Sequence, residues 1–90
     1  MIDNTMITKD LLKHLAGEVL SEDYSAEMPV KSIAGSALKC FGDKGVPKVE
    51  IRDTAKQIVA SYTNAPNYQY NKNEAILAYG VLNFETYVKQ

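Results

Sequence analysis

The sequence predicts an all-α protein, a compact bundle of four short helices. Apolar residues recur at intervals of three and four, and stretches rich in glycine, proline or asparagine separate these periodic segments. The only alternating stretch has one plausible strand partner, and two short strands alone are marginally stable. Ninety residues are enough for one domain, so we expect residues 1–90 to form a single helical domain in which residues 1–6 are loose.

The first two helices are predicted at residues 7–21 and 29–41. Thr8 is a good N-cap residue, and the apolar positions that follow recur every four residues from Ile7 onward. Pro29 suits the first turn of the second helix. Residues 32–37 of that helix are rich in small side chains, so another helix could approach it closely.

The third helix is predicted at residues 48–63, with Pro47 before it and an apolar stripe that includes Ile51, Ile58 and Tyr62. A minority alternative is a short strand at residues 48–52, because polar and apolar residues alternate there. The partner strand would be residues 67–71, and we favour the helix.

The fourth helix, predicted at residues 73–89, is apolar on two sides. Leu77, Val81, Phe84 and Val88 share one face, while another row of apolar residues lies across from it. Surface helices normally have one solvated side. The pattern therefore indicates either a helix at the centre of the bundle or one whose second side meets another molecule.

Tyrosines are concentrated in the last third of the chain, and tyrosine is enriched at the centres of protein interfaces. Tyr68 and Tyr70 could be presented together by a loop, or their rings could fold back on the core. Together with the second side of the fourth helix they give the candidate interface residues: Tyr68, Tyr70, Ala75, Tyr79 and Leu82.

A basic row gives the alternative function, a nucleic-acid-binding regulator. Residues spaced by four would align positive charges along the third helix, where they could contact phosphates. The candidates are Lys44, Lys48, Arg52 and Lys56. Acidic residues interrupt this stretch, and such rows are more often solvated faces.

Enzymatic activity, cofactors and bound metals are not expected. His14 and Glu18 are four residues apart and can touch, but no nucleophile accompanies them in the sequence. Cys40 lies beside an apolar stripe, where a buried, inert thiol is the simpler interpretation. One histidine and one cysteine cannot form a closed zinc site, and no glycine-rich phosphate loop occurs.

The composition favours the cytoplasm. The formal net charge is -1, the single cysteine fits a reducing compartment, and residues 1–10 lack the basic start of a signal peptide. No apolar stretch approaches the ~20 residues of a membrane span.

In length, helix count and the loop before its last helix, the chain is similar to the small cytoplasmic immunity proteins that protect bacteria from their own bacteriocins. Small phage or plasmid accessory proteins fit the same plan. The resemblance implies an inhibitor-like module. We therefore expect a non-catalytic helical module that binds a protein partner or itself as a homodimer.

Overall fold

The computed structural model describes residues 7–42 and 45–89, and these residues form helices and no strand. The predicted all-α bundle is therefore confirmed. The helices are α1 (Lys9–Val19), α2 (Met28–Gly42), α3 (Val49–Asn64), α4 (Lys72–Leu82) and α5 (Phe84–Tyr87). The predicted loose segment, residues 1–6, and Lys44 lie outside the described residues.

Side-chain capping explains where α1 and α4 begin. Thr8 caps α1 as predicted, since its hydroxyl accepts a hydrogen bond of 3.1 Å from the Leu11 amide. Asn71 caps α4, and the side chains and amides of Asn71 and Glu74 exchange two bonds of 2.9 Å each. This capping box satisfies two amides that would otherwise lack partners.

The stretch at residues 48–52, in which polar and apolar residues alternate, belongs to the start of helix α3. Lys48 is extended and serves as the N-cap residue of α3, and Val49 begins the first helical turn. The minority strand at residues 48–52 is therefore absent.

The fourth predicted helix, residues 73–89, is broken at Asn83. The amide and the Nδ2 group of Asn83 both donate 3.0 Å hydrogen bonds to the Tyr79 carbonyl. Asparagine side chains compete in this way with the regular helical bonds. The chain turns there, and the short α5 directs Phe84 and Tyr87 into the core.

Helix α4 lies at the centre of the bundle. Helix α1 packs mainly on α2 and α3 mainly on α4, while α4 also contacts α1, α2 and α5. Its side chains Ala75, Leu77, Ala78 and Val81 have no exposed surface. Central packing therefore accounts for the two apolar sides of this segment.

Candidate protein-binding surface

The five predicted interface residues do not form one surface. Ala75 is fully buried and Tyr70 is 8% exposed, whereas Tyr68 is 87% exposed. Tyr79 and Leu82 are half-buried and pack against the core. A partner therefore cannot reach Ala75, and the two loop tyrosines are not presented together.

Tyr70 is buried because its loop turns back over the bundle. Asn67 has a positive φ of 64°, which asparagine tolerates and which reverses the chain. Gln69 then bridges the loop to α3, accepting a hydrogen bond from Ser61 at 3.4 Å and donating one to the Tyr70 hydroxyl at 3.4 Å.

The basic row on α3 is not a uniform free surface. Arg52 donates two hydrogen bonds to Glu85, of 3.2 and 2.5 Å. This bidentate pair lowers the pKa of the Glu85 carboxyl, with the hydrogen bonds from Arg52 as the largest cause. Lys56 is exposed and Lys48 lies in a groove described below.

The candidate reactive residues, the His14–Glu18 pair and Cys40, lie in different environments. His14 Nε2 lies 2.6 Å from Glu18 Oε1, and both side chains are open to solvent. Cys40 is buried, with its sulfur 3.8 Å from the Ser36 hydroxyl. Within residues 7–42 and 45–89, no group of three or more His, Cys, Asp or Glu side chains could hold a metal ion.

Two adjoining clefts with a largely apolar lining lie between α2 and α3. The upper cleft, near the start of α2, has a volume of about 430 Å³ and the lower cleft one of about 560 Å³. Both are lined by Ser32 and Ile51, so the two clefts adjoin at these residues. We refer to them together as the α2–α3 groove.

Each cleft has an exposed apolar side chain in its wall. Met28, which is 71% exposed, lines the upper cleft together with Ile58 and Tyr70. Val46, which is 69% exposed, lines the lower cleft. Large apolar side chains left in solvent beside a concave surface are typical of binding grooves.

The groove exists because α2 and α3 each pack on a different neighbour and make few contacts with each other. The side of α2 that faces α3 carries Ser32, Gly35 and Ser36, which are too small to fill the space. A Cβ atom added at Gly35 would meet nothing within 4 Å. The sequence indicated this small-residue run, but it did not indicate that Met28 and Val46 would be exposed beside it.

Charged side chains line both parts of the groove. Lys39 and Lys48 line the lower cleft, and Glu50 lines the upper cleft. Glu27 and Glu74 line a separate cleft that Tyr70 also borders. Burial is the largest cause of the raised pKa of the Tyr70 hydroxyl, and the carboxylates of Glu27 and Glu74 raise that pKa further.

Comparison of the chain with protein-family models, curated proteins and solved structures finds no match. No helix among the described residues is long and apolar enough to cross a membrane.

Proposed function

We propose that the chain is a non-catalytic protein-interaction module whose α2–α3 groove receives an amphipathic helix of a protein partner. The observation that carries this proposal is the pair of adjoining clefts between α2 and α3, with Met28 and Val46 exposed in their walls. Helix-in-groove recognition uses this combination of an apolar trough and flexible apolar side chains.

The dimensions of the groove fit a short helix. Helix α2 has 15 residues, so the trough beside it is up to ~22 Å long at ~1.5 Å per residue. A helix can approach a glycine- and serine-lined surface closely, because no large side chain holds the two backbones apart. Three to four helical turns of a partner would fill the trough.

Such a module belongs with inhibitor, immunity or accessory proteins, which act by occupying a surface of another protein. No observation favours the nucleic-acid alternative, since Arg52 is held by Glu85 and Lys48 lines the groove. The exposed cations of the described row, Lys48 and Lys56, are eight residues apart, and the cation between them is paired with Glu85.

A pair of glycine substitutions tests the proposal. Gly35 and Gly17 are both exposed helical glycines with open space around an added Cβ, but only Gly35 lines the groove. The substitution Gly35→Gln places a long polar side chain in the trough, and Gly17→Gln places the same side chain on α1. Both changes favour helix formation, so neither should unfold the protein.

The three chains are used as baits in cells that naturally make this protein. We expect one protein to be captured by the wild type and by Gly17→Gln, and to be lost with Gly35→Gln. Capture of the same proteins by all three baits would contradict the groove as the binding surface.

A further inference from the structure

We propose that the partner helix received by the α2–α3 groove is acidic at one end, and that its carboxylates bind Lys39 and Lys48 in the lower cleft. This inference rests on the proposed function, because it names the chemistry of the partner in the same groove. Three features of the lining carry it: the two lysines, the single acid of the upper cleft and the exposed apolar side chains beside these charges.

The two lysines give the lower cleft its charge. Lys39 lies in the last turn of α2 and Lys48 is the N-cap residue of α3, so the cations come from both walls of this cleft. Both residues are exposed, and neither forms an ion pair with another described residue. No described acidic residue lines the lower cleft. The cleft therefore offers two positive charges to a ligand.

The upper cleft has the opposite preference. Glu50 is the only described charged residue that lines it, and Met28, Ile58 and Tyr70 contribute apolar and aromatic walls. A carboxylate of the partner would meet a like charge here, whereas the lower cleft would attract it. The acidic residues of the partner are therefore expected at one end of its helix and not along its whole length.

The apolar lining favours a helix over a free anion or a nucleic acid. Val46 in the lower cleft is 69% exposed and Met28 in the upper cleft is 71% exposed. A phosphate ligand would leave both of these side chains in water. An amphipathic helix instead presents an apolar stripe with carboxylates along its edges, three or four residues apart. It can cover both apolar side chains and reach both lysines together.

A displayed library of helical peptides tests this chemistry. Each peptide has roughly 15 residues, a fixed stripe of leucine, and Glu, Lys or Gln at random elsewhere. The baits are the wild type, Gly35→Gln, and the double variants Lys39→Glu/Lys48→Glu and Lys56→Glu/Lys72→Glu. The second double variant is the matched control, because it changes the net charge equally at two exposed lysines that line neither cleft.

We expect the wild type and the matched control to select peptides with glutamates at one end of the stripe. Lys39→Glu/Lys48→Glu should select lysines at that end, while its helical circular dichroism is retained. In fluorescence anisotropy, a peptide selected by the wild type should bind this variant at least about tenfold more weakly. Replacement of the peptide's glutamates by lysine should restore the affinity, because the contacts are again between opposite charges.

The outcomes separate this inference from the proposed function. Selected peptides that depend on Gly35 but show no excess of glutamate overturn the acidic partner and retain the groove. Peptides that Gly35→Gln binds as well as the wild type does overturn the groove and the acidic partner together. The same selection by both double variants overturns the role of Lys39 and Lys48.

Two other occupants would also overturn the acidic helix. A short DNA duplex that binds the wild type more tightly than any selected peptide, and is lost only with Lys39→Glu/Lys48→Glu, would assign the lysines to phosphates. A wild-type dimer at ~1 mM that Gly35→Gln dissociates would assign the groove to a second copy.

Discussion

The side chain of Leu12 on α1 rests against the backbone of Gly80 on α4. A Cβ atom on Gly80 would lie 3.0 Å from Leu12 Cγ and closer still to both methyl groups. Leu12 is itself fully buried, so it has little freedom to move aside. The glycine is therefore needed for the central position of α4.

We predict that Gly80→Ala lowers the free energy of unfolding by about 1 kcal/mol. Overpacking costs about 2 kcal/mol, and the higher helix propensity of alanine offsets about 1 kcal/mol of it. Gly17→Ala is the matched control, because its added methyl meets no atom within 4 Å. Urea denaturation should show opposite signs for the two variants, and equal stabilisation by both would contradict the close contact.

Of the two asparagines at the start of α4, Asn71 and Asn73, we predict that Asn71 contributes more to the stability of the protein. Its side chain accepts a 2.9 Å hydrogen bond from the Glu74 amide and donates one of 2.8 Å to the Tyr24 hydroxyl. Asn71→Ala should cost about 1–2 kcal/mol of stability. Asn73→Ala, an exposed position in the same turn, should change it by less than about 0.5 kcal/mol. Similar losses in thermal denaturation would argue against the cap.

The two loop tyrosines should respond very differently to truncation. Tyr70 is 8% exposed and Tyr68 is 87% exposed. Tyr70→Ala should lower the free energy of unfolding by about 3 kcal/mol, since a buried ring is lost. Tyr68→Ala should change it by less than about 0.5 kcal/mol. Chemical denaturation measures both, and a large loss with Tyr68→Ala would contradict the described loop.

The Arg52–Glu85 pair predicts a dependence of stability on pH. The hydrogen bonds from Arg52 lower the pKa of Glu85 in the folded protein. The pair's contribution to stability is therefore present above the unfolded-state pKa of the carboxyl, and it is lost as pH falls through the folded-state value.

A carboxyl NMR titration measures this effect directly. Arg52→Gln should return the pKa of Glu85 towards its ordinary value and remove that part of the acid dependence of stability. Lys56→Gln, which lies one turn further along α3, should leave the Glu85 pKa unchanged. A Glu85 titration unaffected by Arg52→Gln would mean that the pair does not persist in solution.

The helices could be predicted from the sequence because their signals are local. Thr8 marks the start of α1 because its own side chain caps the helix. Leu77 and Val81 are spaced by four residues, and this spacing predicts the helix α4. The break at Asn83 was missed, because an asparagine inside an apolar pattern does not reveal whether its side chain bonds to the backbone or to solvent. The turn at Asn83 is favoured by the burial of Phe84 and Tyr87 in the core, which depends on tertiary packing and not on the local sequence.

The groove could not be predicted, because it depends on how two helices are separated and not on either helix alone. The small residues at Ser32, Gly35 and Ser36 indicated a close approach by some helix. They did not reveal that α3 would stay apart from them. Likewise, the burial of Tyr70 depends on the path of a loop whose sequence is compatible with both exposure and burial.

Recognition through the α2–α3 groove is tested most sharply by an NMR titration of the uniformly labelled wild-type chain with the protein that the wild type captures and Gly35→Gln does not. Amide shifts should change at Met28, at residues 32–39 and around Val46, which border the groove, while Gly17 and Tyr68 stay unaffected. Shift changes confined to other surfaces would contradict binding in the groove.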